Sequence, residues 1–232
     1  MKVTIIIPCY NEYNNLIFLL NIIKKILIKF DYIYFILVNN GSQDETYKLF
    51  ENNKIDRVKY INLNKNLGYG GGIKAGIYAS ETEINCWTHA DEQVKISDVV
   101  DLINNHKHKF HKNYLIKGRR KNRNILDNIF TNLMSLFVFF ITGIKIADIN
   151  GQPKIFHRNL INDLIDNSPN DFSLDLHVLL QYKKKFGKIN ETNIMVYDRK
   201  YDDIKGGGNL IGKVKLSFKT IKYILKYAFK KN

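Results

Sequence analysis

Val3-Thr4-Ile5-Ile6-Ile7-Pro8-Cys9-Tyr10-Asn11-Glu12 decides the fold. Five apolar or β-branched residues in a row, closed by Pro8, read as a strand buried on both faces, the kind found inside parallel sheets. Working outward, residues 14–30 carry Leu16, Leu19, Leu20, Ile23 and Leu27 at helical spacing. Residues 33–38 form a second buried strand, ended by Asn39-Asn40-Gly41-Ser42. Residues 42–52 read as a helix with Ser42 as N-cap and Glu45 three positions on. Residues 58–62 are a third strand, 68–80 a helix with a glycine-rich start, and 84–88 a fourth strand. Alternating strand and helix predicts an α/β chain, a mostly parallel sheet flanked by helices with right-handed crossovers.

The second half is less regular. Residues 114–118 are strand-like and open into a basic cluster, Lys117, Arg119, Arg120, Lys121 and Arg123. Residues 125–144 hold the apolar run LMSLFVFFITGI, too short for a clean membrane span and suited to a core helix or a helix at the membrane interface. Residues 152–157 and 189–197 read as strands, and 174–186 as a helix ending before Gly187. The expected division is one domain over residues 1–205, then a Gly206-Gly207-Gly208 hinge and a C-terminal amphipathic helix over 206–232. That helix has an apolar stripe of Phe218, Ile221, Leu225 and Ala228, and a stripe of Lys215, Lys219, Lys222, Lys226 and Lys230.

Of 232 residues, 36 are Lys or Arg and 22 Asp or Glu, a net charge of +14 that calls for an anionic partner. With 45% hydrophobic residues, wholesale disorder is excluded. Two cysteines, Cys9 and Cys86, make neither a disulfide scaffold nor a four-cysteine zinc site, and both read as buried thiols. The basic cluster KGRRKNRN lacks the interleaved aromatics of single-strand nucleic-acid binders, so nucleic acid is not the expected partner. Met1 runs straight into the first strand with no secretory leader, which predicts residence in the cytoplasm.

In an open α/β sheet, ligands bind beyond the carboxyl ends of the strands. Three such ends are rich in chemistry: Pro8 to Glu12, Asn39 to Asp44, and His89-Ala90-Asp91-Glu92-Gln93. A dinucleotide fingerprint is the rival reading of Gly68-Tyr69-Gly70-Gly71-Gly72, but these glycines follow the third strand and not the first.

IIIPCYNE, LVNNGSQDET, NLGYGGGIKAGI and WTHADEQ, followed by DINGQPKIFHR, FSLDLH and YDR, resemble family 2 glycosyltransferases of GT-A fold. The resemblance covers residues 2–199 and is to the polyprenyl-phosphate (dolichyl-phosphate mannose synthase-like) branch and its soluble bacterial relatives in surface-polysaccharide synthesis. It implies a GT-A, Rossmann-like sheet. It implies nucleotide contacts at Pro8, Tyr10, Glu12, Asn39, Gly70, Lys74 and Ala90, with Arg199 on the diphosphate. Arg119, Arg120, Arg123 and Gln152 would hold the acceptor or phosphate. Asp91, with Gln93 and His89, would hold a divalent cation, Mn2+ or Mg2+.

Two positions depart from the family pattern. Asn39-Asn40 stands where an acidic residue is usual, and an amide can both donate to and accept from a base, so uracil and cytosine are both open. His89 replaces the first acid of the metal motif and would favour Mn2+ or contact the nucleotide directly. Asp175 is the candidate general base if the acceptor is a sugar hydroxyl, with Asp171 the alternative; a lipid phosphate would need none. The expected function is transfer of a sugar, with inversion, from a UDP-, GDP- or CDP-linked donor to a lipid-linked or saccharide acceptor in bacterial cell-surface glycan synthesis. The enzyme is expected to sit peripherally on the anionic inner face of the cell membrane. The alternatives are a CDP-specific transferase and a catalytically inactive nucleotide-sugar-binding scaffold.

Overall fold

The computed structural model describes residues 1–199 and 210–229. The strands are β1 (Val3–Cys9), β2 (Ile33–Asn39), β3 (Val58–Asn62), β4 (Ile84–Trp87), β5 (Leu115–Lys121), β6 (Lys154–His157) and β7 (Asn190–Met195). They form one sheet in the order β3-β2-β1-β4-β6-β5-β7. β1 pairs in parallel with β2 and β4, β2 with β3, and β5 with β7. Among the described strands, β6 alone runs antiparallel, between β4 and β5. Its reversal brings its first residue, Lys154, level with Trp87 at the end of β4.

The uninterrupted apolar run of β1 is explained by two covered faces. Ile5, Ile7 and Cys9 pack into one core with Leu16, Leu19 and Ile23 of α1 (Tyr13–Lys29) and Val99 and Ile103 of α4 (Ile96–His106). Ile6 points into the other, with Ile73 and Ile77 of α3 (Tyr69–Tyr78) and Leu176 and Leu179 of α7 (Ser173–Phe186). Gly76 is required at the α3 crossing, because a Cβ there would run into the Ile6 side chain. Cys9 and Cys86 are free and fully buried. Burial raises both thiol pKa values.

Several boundaries move. The second helix, α2 (Thr46–Asn52), starts four residues later than expected. Ser42 is not its N-cap, because its hydroxyl accepts the Asn11 N–H instead. β5 runs on through Lys121, so Arg119 and Arg120 lie within a strand and not after it. α4 was not anticipated, although Ile96, Val99, Val100 and Ile103 have helical spacing. A short α6 (Ile161–Leu164) precedes α7.

The apolar run becomes α5 (Ile125–Thr142), closed by Gly143 in the left-handed conformation. It is not a core helix, for only Val138 is fully buried. By length and composition it is long and apolar enough to cross a membrane, unlike the expectation. α8 (Leu210–Phe229) packs against α5 and α7. It does so through Thr220 and Ile224, with Tyr223 and Tyr227 beside them. Phe218 is 70% exposed and Leu225 39%. The expected hinge, residues 206–208, lies outside the described residues, as does the side chain of Lys215.

The α7–α8 contact carries a hydrogen bond between His177 Nδ1 and the Tyr223 hydroxyl, 2.6 Å. Burial, reinforced by the charge of Lys74, lowers the His177 pKa to about 4. The unfolded chain therefore takes up a proton near pH 6.5 that the native state refuses until about pH 4. Stability should fall as pH drops through that window, by about 2 kcal/mol at pH 5. Thermal melts of wild type and His177→Gln at pH 7.5 and pH 5 check this. The variant should lose less between the two, and equal losses would contradict it.

Candidate functional site

The ends of β1 and β4 and the chain after β7 meet around a cavity of about 750 Å³. Pro8, Glu12, His89, Ala90, Asp91, Gln93 and Arg199 line one side, and Arg120, Arg123, Gln152, Asp175 and Phe172 another. The outer wall is helical: Phe130, Thr131 and Met134 of α5 face Leu216, Ser217 and Thr220 of α8. Nine of the expected site residues thus share one space, together with Asp175 and Gln152 at its floor.

Glu12 sits at the N-cap of α1, yet its side chain caps nothing. It receives Asn15 Nδ2 at 2.6 Å and the Arg199 guanidinium at 2.9 and 2.7 Å. A second Arg199 nitrogen lies 3.4 Å from Asp91 Oδ2. Asp91 Oδ1 accepts the Gln93 N–H. Between them, Glu92 has positive φ and turns away to accept the Ile96 N–H at the start of α4. The β1 and β2 ends are tied together: Tyr13 N–H and Thr46 N–H both donate to Asp44, and Gln43 N–H to Asn11.

Tyr10 and Asn39 line a neighbouring cleft of about 560 Å³ with Ser42, Tyr47, Asn62 and Lys65. Asn39 accepts the Ser42 N–H at 3.0 Å and donates to Asn62 at 2.9 Å, which fixes which end of its amide points where. Asn40 holds the loop, bonding Leu67 N–H and the Gly68 carbonyl.

Four expectations are corrected by geometry. Lys74 donates to the Ser168 carbonyl at 2.8 Å and is not directed at a phosphate. Gly70 is packed against the backbone of Pro169 to Asp171, so its missing side chain lets α3 approach the loop before α7. Arg119 is exposed and Arg120 is committed to Asp148, from which it takes a bidentate grip. Burial alone would raise the Asp148 pKa, but Arg120 brings it below the usual range. Arg123 is left as the half-buried arginine on the cavity wall, bonded to Thr131.

Asp175, the expected base, is 1% exposed. It accepts from Lys154 at 2.6 Å, Tyr69 at 3.2 Å, Trp87 at 3.3 Å and Gln152 at 3.3 Å. Both its oxygens are in use. Burial pulls Lys154 down to about pKa 8 against the attraction of Asp175. Tyr69 is pushed well up by burial and by that same carboxylate. Its ring is stacked between Phe172, 4.4 Å away, and His89, 5.4 Å away. Asp171 caps α7 through the Ser173 N–H.

Among the described residues no three His, Cys, Asp or Glu side chains converge as a complete ligand set. Asp91 on the cavity wall, with Gln93 beside it, still suits a cation of the Mg2+ or Mn2+ type. Such ions are held by one or two carboxylates and complete their shells with phosphate oxygens and water. His89 is oriented by its stack on Tyr69. Lys154, Tyr69, Trp87 and Asn62 were missed. Each looks in sequence like an ordinary strand or helix residue, and only the reversed β6 brings Lys154 under the site.

The family model for glycosyl transferase family 2 matches residues 4–165. The human dolichyl-phosphate beta-glucosyltransferase is 32% identical over 112 residues, 44% of this chain and 34% of that one. The undecaprenyl-phosphate 4-deoxy-4-formamido-L-arabinose transferase of Proteus mirabilis is 27% identical over 172 residues, 71% of this chain and 51% of that one. The chain spans about half the length of most curated relatives it matches. Among solved structures, the glucosyl-3-phosphoglycerate synthase of Mycobacterium tuberculosis, in complex with Mn2+, UDP-glucose and phosphoglyceric acid, superposes with a TM-score of 0.73. It does so at 14% identity, over 98% of this chain and 79% of that one, a likeness of the GT-A fold.

Proposed function

Because the chain belongs to glycosyl transferase family 2, we propose that it moves a sugar, with inversion, from a nucleoside-diphosphate donor to a lipid-linked phosphate. The observation that carries this is the meeting of Glu12, Asp91 and Arg199 on one cavity whose outer wall is α5 and α8. Glu12 and the Tyr10–Asn39 cleft hold the nucleoside. Asp91 holds a divalent ion, which when bound neutralises the leaving diphosphate. Arg199 supplies a guanidinium fork to the same diphosphate. Arg123 receives the acceptor phosphate. The phosphate acceptor is supported by Asp175: its carboxylate is buried and held in place by Lys154 and Tyr69, and an ionised phosphate needs no base. Relatives named for dolichyl and undecaprenyl phosphates support the same class.

A thermal-shift panel of UDP, GDP and CDP with and without Mn2+ tests the donor. One nucleotide with Mn2+ should raise Tm above the other two, in proportion to RT ln(1+[L]/Kd). No shift with any nucleotide would sink the reading. A shift without turnover of the matching nucleotide sugars on polyprenyl phosphate would favour a catalytically inactive binding scaffold.

The proposal includes a peripheral seat on the anionic inner face of the membrane. α5 exposes Leu126, Leu133 and Phe140, and α8 exposes Val214, Phe218 and Phe229 beside Lys219, Lys222 and Lys226. Each lysine near an anionic surface contributes about 1 kcal/mol. Changing these three lysines to Glu should cut co-sedimentation with anionic vesicles at least tenfold, and 0.5 M salt should weaken the wild type. Wild-type protein that ignores such vesicles at low salt would refute the seat.

A further inference from the structure

Arg199 bridges two carboxylates on the cavity wall, Glu12 and Asp91. The Arg199 side chain is 9% exposed, Glu12 12% and Asp91 15%. A guanidinium so enclosed between two carboxylates is a built contact, unlike a solvated surface pair. The chain leading to it is pinned. Val196 N–H donates to the Lys121 carbonyl and Tyr197 N–H to the Gln93 carbonyl, 3.1 and 2.9 Å. Lys95 Nζ lies 3.7 Å over the Tyr197 ring. Arg199 is thereby delivered to the place where the proposed cation and diphosphate would bind.

We infer that Arg199 is an internal counter-ion that closes the nucleotide-free site, so that the site opens to a metal–nucleoside diphosphate chelate and not to either part alone. This rests on the donor reading above. The charges say why. A divalent cation arriving alone at Asp91 meets the guanidinium already beside it. A nucleoside diphosphate arriving alone meets the carboxylates of Glu12 and Asp91. The chelate satisfies both at once: the metal takes Asp91, Arg199 turns onto the diphosphate, and Glu12 is released to the nucleoside. Through the exchange Glu12 keeps the Asn15 amide and exchanges the guanidinium for nucleoside donors, so its carboxylate stays hydrogen-bonded.

Calorimetric titration of the full chain decides it, using Mn2+ alone, UDP alone, and the two together. Circular dichroism verifies the fold of each variant. Wild type should bind Mn2+ alone weakly, and Arg199→Gln should bind Mn2+ alone at least tenfold more tightly. Arg199→Gln should also bind the Mn2+–UDP chelate at least tenfold more weakly than wild type, because the fork is gone. Adding Asp91→Asn to Arg199→Gln should erase the gain for Mn2+. Equal Mn2+ affinity in wild type and Arg199→Gln would overturn the internal counter-ion. If UDP, GDP and CDP all fail to bind wild type with Mn2+, the donor reading falls, while the Mn2+-alone comparison still judges Arg199.

Discussion

Asp91→Ala is expected to lower metal-dependent transfer and Mn2+-assisted nucleotide binding by roughly 100-fold or more, with the fold retained. The carboxylate lies on the cavity wall and, among the described residues, bonds the local Gln93 N–H and Arg199. Little of the core depends on it. Loss of the ion would forfeit several kcal/mol of charge stabilisation on the leaving diphosphate, and about 1.4 kcal/mol is tenfold in rate. The neighbouring residue provides the contrast. Glu92 caps α4 through the Ile96 N–H, so Glu92→Ala should cost about 1 kcal/mol of stability and leave nucleotide binding in place. Parallel melts and nucleotide titrations separate the two. Equal binding losses for both variants would remove Asp91 from the metal site.

Lys154→Met should produce a large loss of stability. Lys154 and Asp175 are 0% and 1% exposed, 2.6 Å apart. Removing the ammonium strands a carboxylate in the interior, at a cost of about 3–5 kcal/mol, or roughly 10 °C in Tm for a chain of this size. Asp175 would keep its bonds from Tyr69, Trp87 and Gln152, which softens the loss without replacing the charge. The double variant Lys154→Met/Asp175→Leu should recover part of it, because two apolar groups replace a pair that must be desolvated. Denaturant melts of the two singles and the double complete the cycle. A Lys154→Met protein as stable as wild type would show that the pair is not coupled.

How far the sequence could be read follows from the range of the forces. β1 announced itself because a buried parallel strand must be apolar on both faces, and Ile5, Ile6 and Ile7 meet that demand without help from distant residues. Glu12 and Asp91 could be singled out because their motifs follow strands whose ends share one sheet edge, whereas Arg199 was singled out by the family resemblance alone. What stayed hidden depended on partners far along the chain. The commitment of Arg120 to Asp148 spans 28 positions, and the bond from Trp87 to Asp175 spans 88. Nothing local distinguishes a guanidinium free to hold phosphate from one already paired. The start of α2 was misjudged for the same reason, since Ser42 looks like a helix cap until Asn11, 31 residues earlier, claims its hydroxyl.

The buried thiols have a practical use. Cys9 and Cys86 lie in β1 and β4, strands paired to each other at the centre of the sheet, with no exposed surface. A thiol-reactive dye can reach them only when the sheet itself opens, so labelling times the deepest unfolding event in the molecule. Any nucleotide, metal or lipid that binds the native state will slow that clock according to its affinity. The protein thus carries two internal reporters with which its ligands can be sought without an activity assay.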